Sequence, residues 1–476
     1  MQDLSTIVKA YDIRGLVPDQ LNDDVARAVG AAFVEVVEAT EAVVIGHDMR
    51  PSSVPLATAF AEGATSRGVN VVMIGLASTD QLYYASGFLD LPGAMFTASH
   101  NPAQYNGIKL CRAGAAPVGQ DTGLAQIRER AEQLLTSAGS AVRPDTSPGS
   151  EDTAGGPDKS KDGGGRGTIE HQDVLAGYAT HLRSLVPLQA IRPLTVVVDA
   201  GNGMAGHTVP AVLDVPGITL VPMYFELDGT FPNHEANPIE PENLRDLQAA
   251  VLDHGADLGL AFDGDADRCF VVDERGAPVN PSALTALIAT RELERVPGQR
   301  VVHNLITSRA VPEIVREHGG EPIRTRVGHS FIKQTMAETG AVFGGEHSAH
   351  YYFRDFWRAD SGMLAALHTL AALGGTPVGA TLSELIAPFE RYVSSGEINS
   401  TVTDQPGAMA AVEEAFTGRE GVSIDHLDGL SVEHDDWWFN LRPSNTEPLL
   451  RLNAEAVDAA TMEQIRDDVL SIVRGT

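Results

Sequence analysis

The chain is organised around the stretch Gly93-Ala-Met-Phe-Thr-Ala-Ser-His-Asn-Pro102, which continues through Tyr105-Asn-Gly-Ile-Lys109. Its first four residues are typical of the end of a short buried strand. The proline and the Asn106-Gly107 pair then predict that no regular element continues. Ser99 is thereby presented at the C-terminal end of a strand, with a histidine beside it and Lys109 close by. A hydroxyl next to a base and a cation is a candidate nucleophile or phosphate carrier, and the alternative is an ordinary Ser/Asn/Pro turn.

Composition disfavours several classes of partner. Asp and Glu number 64 against 34 Lys and Arg, so the formal net charge of −30 disfavours binding to nucleic acid and to anionic membranes. An anionic substrate would be repelled as well, unless a cleft gathers its own cations. No apolar run reaches membrane-spanning length, and the N-terminus lacks the pattern of a signal peptide. Two cysteines, Cys111 and Cys269, cannot form a disulfide framework, so we expect a cytoplasmic protein.

A pattern of strands and helices occurs three times. Strands of the three copies are predicted at residues 42–46, 70–75 and 93–96, then from 195, at 218–224 and 258–262, and finally at 300–306, 322–327 and 341–343. In each copy a polar loop follows the third strand. Alternating strands and helices build parallel or mixed sheets with helices on both faces, and such sheets bind ligands outside the carboxyl ends of their strands. The three loops are therefore expected to face one shared cleft.

These patterns predict an α/β protein with three similar domains and a smaller fourth one. The α/β domains are expected at residues 1–136, 169–275 and 276–390, each built on a mixed sheet. The pattern then changes to strand, helix, two strands and helix, which predicts a small α+β domain over 391–476. Residues 137–168 are rich in Gly, Ser, Pro, Asp and Lys and nearly free of large apolar residues, so they predict a disordered insertion or linker.

Alternating carboxylates follow the last strand of the second copy. Asp263, Asp265 and Asp267 lie within reach of one hard cation. An EF-hand calcium loop is a rival interpretation, since Glu274 stands at its twelfth position. That loop requires helices on both sides and glycine at its sixth position, where Arg268 stands. A partly open site suits Mg²⁺ and phosphoryl transfer better than calcium, and a solvated acidic turn is the remaining alternative.

Donor-rich residues form the tip of a hairpin in the last domain. Arg442, Ser444, Asn445 and Thr446 combine a guanidinium with hydroxyl and amide groups. This combination matches the oxygens of a phosphate dianion. An ordinary turn held by its own Asn and Ser side chains is the alternative.

Two loops of the third copy carry further polar groups. Glu346, Ser348 and His350 offer an acceptor and donors at close spacing, as the hydroxyls of a sugar require. Zinc bound by His347 and His350 is disfavoured because no third soft ligand is nearby. His329 lies at another strand-to-helix turn, where it fits a general acid/base or a neighbour of a helix cap equally well.

Four motifs occur in order along nearly the whole chain: Thr97-Ala-Ser-His-Asn-Pro102, Asp263-Gly-Asp-Ala-Asp-Arg268, Gly345-Glu-His-Ser-Ala-His350 and Arg442-Pro-Ser-Asn-Thr-Glu-Pro448. Together they resemble the α-D-phosphohexomutase family. The Lys9-Ala-Tyr-Asp-Ile-Arg-Gly15 start and the Glu-x-Ser-x-His loop are most similar to its bacterial phosphomannomutase/phosphoglucomutase branch. The resemblance implies four domains around a central cleft.

The resemblance also implies a chemistry. Ser99 would be carried as phosphoserine, and Mg²⁺ would be held by Asp263, Asp265, Asp267 and an oxygen of that phosphoserine. The enzyme would interconvert hexose 6-phosphate and hexose 1-phosphate, of mannose and glucose. It would pass its phosphoryl group to the sugar, hold a hexose 1,6-bisphosphate while this intermediate turns over, and recover the other phosphate on the serine.

Further roles carry over by matching position. The residues that would stabilise charge or move protons are Arg14, Lys109, Arg268 and His329. The residues that would bind the substrate are Tyr11, Glu346, Ser348, His350, Arg442, Ser444, Asn445 and Thr446. The C-terminal domain would close over the bound sugar.

The identity of the sugar stays open. His347 and Ala349 are not the residues most typical of the family's sugar loop, and discrimination at carbon 2 depends on one hydroxyl. Phosphoglucosamine mutase is therefore an alternative. A metal-dependent serine phosphatase is a second alternative, disfavoured because a hydrolase needs only one phosphate site. Small sugar phosphates are the expected partners, and a monomer and a small homo-oligomer are both compatible with the sequence.

Overall fold

The computed structural model describes residues 3–140, 165–444 and 449–475. The first sheet contains strands β1 (Ile13–Leu16), β2 (Ala42–His47), β3 (Asn70–Leu76), β4 (Gly93–Phe96), β5 (Tyr105–Arg112), β6 (Ala116–Pro117) and β7 (Ile169–His171). The helices of this part are α1 (Asp23–Val36), α2 (Ser53–Thr65), α3 (Thr79–Leu89) and α4 (Leu124–Ser140). The strands lie side by side in the order β1-β5-β4-β2-β3-β7, and β6 pairs with β5.

Two more sheets follow along the chain. The second contains β8 (Leu194–Asp199), β9 (Ile218–Met223), β10 (Leu258–Phe262) and β11 (Cys269–Asp273), with helices α5 (Leu175–Leu185), α6 (Ala205–Val212) and α7 (Arg245–His254). The third contains β12 (Arg300–Asn304), β13 (Glu321–Thr325), β14 (Phe343–Gly345), β15 (Tyr351–Phe353) and β16 (Ala359–Asp360), with helices α8 (Pro281–Arg295), α9 (Ala310–Glu317), α10 (His329–Thr339), α11 (Gly362–Gly374) and α12 (Leu382–Ile386). Their spatial orders are β11-β10-β8-β9 and β13-β12-β14-β15-β16.

These three sheets share one topology. Three parallel strands are followed by an antiparallel one, in the orders β3-β2-β4-β5, β9-β8-β10-β11 and β13-β12-β14-β15. The polar loop after each third strand is the connection to that antiparallel partner. It leaves the sheet at the carboxyl end of a parallel strand, where such sheets bind ligands. The predicted α/β class with mixed sheets is confirmed.

The fourth sheet is antiparallel. It contains β17 (Val393–Thr401), β18 (Ser423–Asp425), β19 (Leu430–Glu433), β20 (Trp437–Pro443) and β21 (Leu449–Ala456), with helices α13 (Gln405–Phe416) and α14 (Ala459–Gly475). Its spatial order is β17-β21-β20-β19-β18. This is the α+β arrangement predicted for the C-terminal part of the chain.

Buried apolar runs hold the first three sheets together. Every residue of β4 and β10 is buried, as expected of strands covered on both faces. One continuous apolar cluster joins the three sheets and includes Leu82, Tyr178 and Phe356. The fourth sheet has a separate core around Phe416 and Phe439, whose ring centroids are 5.0 Å apart. The first three domains therefore share a packed interior that fixes the relative positions of their loops.

Several helices begin at a capping side chain. Those of Asn22, Ser78 and Ser361 accept hydrogen bonds from the first turns of α1, α3 and α11, which satisfies an N–H without a helical partner. Helix α3 thus begins at Thr79, whose hydroxyl donates to Asp265 Oδ2 at 2.7 Å. Within the described residues, no helix has the length and apolarity needed to span a membrane.

The prediction that no regular element follows Pro102 is wrong. Residues Tyr105–Arg112 form β5, which lies antiparallel between β1 and β4. A Cβ on Gly107 would lie 2.5 Å from the carbonyl oxygen of Ile13 and 2.8 Å from that of Thr97. The glycine that locally signals a turn is therefore required here by the close approach of neighbouring backbones.

The predicted disordered insertion at 137–168 differs from the structure at both ends. Helix α4 continues to Ser140, and the N–H of Val71 donates to the carbonyl oxygen of Thr168 at 2.8 Å. Strand β7 pairs in parallel with β3. It therefore extends the first sheet, although it lies in the segment predicted as the second domain. The rest of the predicted insertion, residues 141–164, lies outside the described residues.

We expect Gly107→Ala to destabilise the first domain. The added Cβ would meet two main-chain oxygens that cannot move without disturbing strand pairing, and overpacking of this kind costs about 1–3 kcal/mol. Urea unfolding followed by circular dichroism measures the change. Gly165→Ala is the matched control, because a Cβ there meets nothing within 4 Å. Equal stability of the two variants would contradict the packing argument.

Candidate active site

Ser99 lies in the loop after β4, where the three polar loops meet. Its φ is +50°, in a region that few residues other than glycine adopt, and its N–H donates to Thr97 Oγ1 at 2.9 Å. Its hydroxyl donates to Asp263 Oδ2 at 2.7 Å, and Oγ lies 3.2 Å from His100 Nδ1. The residue is 5% exposed. The candidate nucleophile of the first domain therefore contacts the acidic loop of the second directly.

The acidic loop after β10 brings three buried carboxylates together. One oxygen from each of Asp263, Asp265 and Asp267 lies within 4.8 Å of the others. Lys109 Nζ bridges the last two, at 2.7 Å from Asp265 Oδ2 and 2.6 Å from Asp267 Oδ2. The Oδ1 atoms of Asp265 and Asp267 are buried and accept no hydrogen bond from the described residues. Buried oxygens without donors are what a hard divalent cation would bind, so this donor set fits a metal ion.

Burial and neighbouring charge act in opposite directions on this loop. Burial raises the pKa of Asp263 even though Arg268 lies beside it. Burial would also raise the pKa of Asp265, but Lys109 outweighs it and the pKa of Asp265 is lowered. Burial alone would lower the pKa of Lys109, but the adjacent carboxylates outweigh burial and the pKa is raised. The loop therefore holds a charged lysine against an ionised Asp265.

Two arginines flank the serine loop. Arg268 Nε donates to Asp263 Oδ2 at 2.9 Å, and its Nη2 donates to His100 Nδ1 at 2.5 Å. Burial, with the nearby Arg268 charge, holds the pKa of His100 well below its usual range. His100 is therefore a neutral acceptor that orients this guanidinium. On β1, Arg14 Nη1 donates to Asn101 Oδ1 at 2.5 Å.

Glu346, in the loop after β14, is held by donors of its own domain. Its Oε1 accepts from Asn304 Nδ2 at 3.1 Å and from the N–H of Gly328 at 3.3 Å, and its Oε2 accepts from Tyr352 Oη at 2.7 Å. Glu346 is buried, with 3% of its surface exposed. These bonds tie the predicted sugar loop to the turn that precedes α10.

The other polar residues of that loop point towards the acidic loop. Ser348 Oγ lies 2.9 Å from His350 Nδ1, and His350 Nε2 lies 3.8 Å from Asp267 Oδ1. His347 Nδ1 instead lies 3.4 Å from Ser282 Oγ on α8. No described group of three metal-ligating residues combines His347 with His350. The third domain therefore reaches the acidic loop through His350.

His329 begins α10 and packs on Tyr11. Their ring centroids are 4.6 Å apart at an interplanar angle of 63°. Burial, assisted by the charge of Lys333, lowers the pKa of His329 to about 3. The imidazole is therefore neutral at pH 7. Gly328 has φ of +133°, and a Cβ there would lie 2.5 Å from Tyr11 Oη, so glycine permits this packing.

Two adjoining cavities run through the cleft. The inner one, of about 580 Å³, is lined by Ser99, His329 and five cations: Lys9, Arg14, Lys109, Arg268 and Lys333. The outer one, of about 450 Å³, is lined by Arg326 and Arg442. Tyr11, Ser330 and Lys333 line both. The acidic chain thus gathers the local cations that an anionic substrate requires.

The hairpin contributes the guanidinium group of Arg442 to the outer cavity. Arg442 Nη2 lies 3.0 Å from Glu397 Oε2, and Arg451 Nη1 lies 3.0 Å from Glu397 Oε1. Arg451 Nη2 also lies 3.5 Å from Ser444 Oγ. One carboxylate therefore aligns two arginines of the hairpin. The predicted residues Asn445 and Thr446 lie outside the described residues.

Models of one protein family match the chain in four consecutive parts. They are the phosphoglucomutase/phosphomannomutase alpha/beta/alpha domains I, II and III over residues 5–137, 176–276 and 280–392, and the C-terminal domain over 397–472. The chain belongs to the phosphoglucomutase/phosphomannomutase family. As a phosphohexomutase it is an isomerase.

Relatives of this phosphohexomutase match it from end to end. A protein described as phosphohexose mutases from Xanthomonas campestris pv. campestris is 41% identical over 471 residues, which cover 98% of this chain and 99% of the relative. A phosphomannomutase from Salmonella montevideo is 38% identical with the same coverage. The crystal structure of a phosphoglucomutase/phosphomannomutase family protein from Burkholderia thailandensis matches with a TM-score of 0.84 at 32% identity, covering 99% of this chain and 97% of the other.

Two charged residues of the phosphohexomutase cleft were not identified from the sequence. Lys333 Nζ lies 2.5 Å from Asp360 Oδ1 and 4.2 Å from the centroid of the Tyr83 ring. Both charged residues are buried and line the inner cavity. Lys333 lies on the apolar side of α10, next to the buried Ile332. A lysine among apolar helix positions is the signal that could have identified it, because lysine is rarely buried unpaired.

Proposed function

We propose that the enzyme interconverts hexose 6-phosphate and hexose 1-phosphate, of mannose and glucose, through a phosphoserine at Ser99 and a bound hexose 1,6-bisphosphate. One observation carries this proposal. The Ser99 hydroxyl donates to Asp263 Oδ2 at 2.7 Å, while Asp265 and Asp267 each keep a buried oxygen without a donor. The residue proposed as phosphate carrier and the residues proposed as metal ligands therefore lie in one buried cluster.

Mg²⁺ is the ion proposed for the acidic loop. Asp263, Asp265 and Asp267 would hold it together with an oxygen of the phosphoserine, which leaves the partly hydrated coordination that Mg²⁺ prefers. When bound, the cation would offset negative charge on the phosphoryl oxygens. Lys109 already neutralises part of the loop's charge by bridging two of its carboxylates.

The proposed transfer conserves phosphate and protons. The P–O bond to Ser99 Oγ breaks as a bond forms to the free hydroxyl of the sugar phosphate, whose proton passes through a cleft base to Ser99 Oγ. The bisphosphate then turns over, and its other phosphoryl group returns to the serine. Arg14, Lys109 and Arg268 would stabilise the transferring charge. His329 lines the same cavity, and we assign it as the cleft base that receives the proton.

The remaining predicted residues would bind the substrate. Sugar hydroxyls are assigned to Tyr11, Glu346, Ser348 and His350. The phosphate that is not being transferred is assigned to Arg442, Ser444, Asn445 and Thr446. Arg442 lines the outer cavity and Ser99 the inner one, which supports a phosphate-binding site separate from the transfer centre.

Arg442→Lys is expected to raise KM for hexose 1-phosphates about ten- to a hundredfold while phosphorylation of Ser99 by added bisphosphate persists. A planar guanidinium can bind a phosphate and the Glu397 carboxylate at once, whereas an ammonium acts as a point charge. Losing one charge-assisted bond costs about 1.5–3 kcal/mol. Steady-state assays with mannose 1-phosphate and glucose 1-phosphate measure the effect.

Arg419→Lys is the matched control for this variant. Arg419 is an exposed arginine of the same domain whose Nε donates to the carbonyl oxygen of Ala415 at 2.9 Å. Its replacement is expected to leave KM unchanged. If Arg442→Lys also keeps KM within about twofold of wild type, the hairpin does not anchor phosphate.

Coupled assays on mannose 1-phosphate, glucose 1-phosphate and glucosamine 1-phosphate, with free phosphate monitored, test the proposed function. Turnover of the first two without matching phosphate release is the expected result. Preferred turnover of glucosamine 1-phosphate would replace the proposed substrate by an amino sugar. Phosphate release equal to substrate consumption would identify a phosphatase instead.

A further inference from the structure

The loop that carries Ser99 is held from behind by one buried arginine. Arg50 lies after β2, and its side chain is fully buried. Its Nη2 donates to the carbonyl oxygens of Ser99 and Asn101 at 2.9 and 2.6 Å. Its Nη1 donates to those of Pro102 and Tyr105 at 2.9 and 3.0 Å. Four carbonyl groups of the serine loop thus converge on one guanidinium.

Arg50 is itself fixed from two domains. Asp48 Oδ2 lies 3.3 Å from its Nε, and Asp48 Oδ1 accepts from the N–H of Arg50 at 3.0 Å and from Ser53 Oγ at 2.6 Å. From the second domain, the Phe231 ring covers the guanidinium, with its centroid 5.1 Å from Cζ. A Cβ on the neighbouring Gly229 would lie 2.6 Å from Arg50 Cα. The arginine is therefore sealed between the two domains that carry the serine and the acidic loop.

We propose that Arg50 is a positioning residue for phosphoryl transfer, which holds the backbone of Ser99 so that its hydroxyl stays directed at Asp263. This inference rests on the proposed function, because it takes Ser99 as the phosphate carrier. Ser99 has φ of +50°, and a residue other than glycine keeps such a conformation only where its surroundings enforce it. The four bonds from Arg50, one of them to Ser99 itself, are among the enforcing contacts.

Only a guanidinium can make this set of contacts. Arginine presents five N–H donors in a rigid planar fork, whereas lysine offers three donors on one atom. Arg50 lines neither cavity of the cleft, so it does not contact the sugar phosphate. Its replacement therefore changes how often Ser99 is oriented for transfer and leaves substrate binding intact. A purely structural arginine would lower stability without this selective effect on turnover.

Arg50→Lys in the full-length enzyme tests the proposal against a matched control, Arg183→Lys. Arg183 Nη1 also donates to two main-chain carbonyl groups, those of Ala211 and Val212 at 2.6 and 3.3 Å, but in the second domain away from the cleft. Arg50→Lys is expected to lower kcat about ten- to a hundredfold with KM for glucose 1-phosphate within about threefold. Arg183→Lys is expected to keep kcat within about twofold. Equal kcat values in the two folded variants would overturn the proposal.

A second variant decides the matter if Arg50→Lys does not fold. Phe231→Ala removes only the half-buried cover of the guanidinium, and we expect kcat to fall about three- to tenfold with KM unchanged. A wild-type kcat in this variant would overturn the proposal.

Intact-protein mass distinguishes failure of the proposed function from failure of the role proposed for Arg50. Absence of phosphate on Ser99 in active wild-type enzyme would refute the proposed function, whereas phosphorylated wild type with unaffected Arg50 and Phe231 variants refutes only the role of Arg50.

Discussion

Ser99→Ala is expected to lower mutase turnover about a thousandfold or more and to remove the phosphate that we propose the wild-type enzyme carries. The Ser99 hydroxyl donates to Asp263 at the acidic loop. The neighbouring Thr97 hydroxyl cannot take over, because it is buried and accepts the N–H of Ser99. Intact-protein mass before and after phosphatase treatment, followed by a coupled assay with glucose 1-phosphate, measures both effects.

Ser66→Ala serves as the control for this loss. Ser66 is an exposed serine of the same domain, and its hydroxyl donates to the carbonyl oxygen of Gly63 at 2.6 Å. The control is expected to keep both the phosphate and the turnover of wild type. Wild-type turnover by Ser99→Ala, or an unchanged phosphate content, would end the phosphoserine mechanism.

Much of the α/β fold follows from local apolar runs. The run Leu258–Phe262 is buried along its whole length, and such a run between polar loops predicts a strand covered on both faces. The same pattern at Gly93–Phe96 predicts β4. Once those strands are parallel, geometry places the loops after them at one edge. This is why Ser99 and the acidic loop could be expected in one cleft from the sequence alone.

Contacts between distant segments could not be predicted in the same way. The Asn106-Gly107 pair carries a local turn signal, but the carbonyl oxygens of Ile13 and Thr97 approach too closely for any Cβ, and the pair lies inside β5. The sequence predicts Lys109 near Ser99, and both residues line the inner cavity. It does not indicate that the Lys109 ammonium bridges two carboxylates more than 150 residues further along the chain, Asp265 and Asp267.

Buried charges were missed for a related reason. Arg50 and Lys333 each stand in a stretch that reads as an ordinary loop or helix, and their partners are remote in sequence. Arg50 donates to carbonyl groups that carry no side-chain signature. Lys333 pairs with Asp360 on another element. Such partners emerge only when the packed sheets bring their loops together, because a buried charge is stable only with its partner in place.

Asp265→Asn is expected to weaken Mg²⁺ binding at least about tenfold and to lower kcat about a hundredfold. Asp265 Oδ2 already accepts from Lys109 and Thr79 at 2.7 Å each, and its buried Oδ1 has no donor among the described residues. The asparagine amide cannot replace the carboxylate towards both Lys109 and the proposed cation. Its nitrogen would face either the ammonium of Lys109 or the proposed cation, and the compensating negative charge would be lost.

Isothermal titration calorimetry of Mg²⁺ into chelator-dialysed enzyme reads the binding change without relying on turnover, and a coupled assay gives kcat. Glu274→Gln is the matched control. Glu274 would be the twelfth ligand of a calcium loop, but its Oε1 accepts from Ser383 Oγ at 2.5 Å, so we expect its replacement to leave Mg²⁺ affinity unchanged. If Asp265→Asn instead binds Mg²⁺ within about twofold of wild type, the orphaned oxygen of Asp265 is not a metal ligand. Lys109 would then be the principal cation of the acidic loop, because among the described residues it alone bridges Asp265 and Asp267.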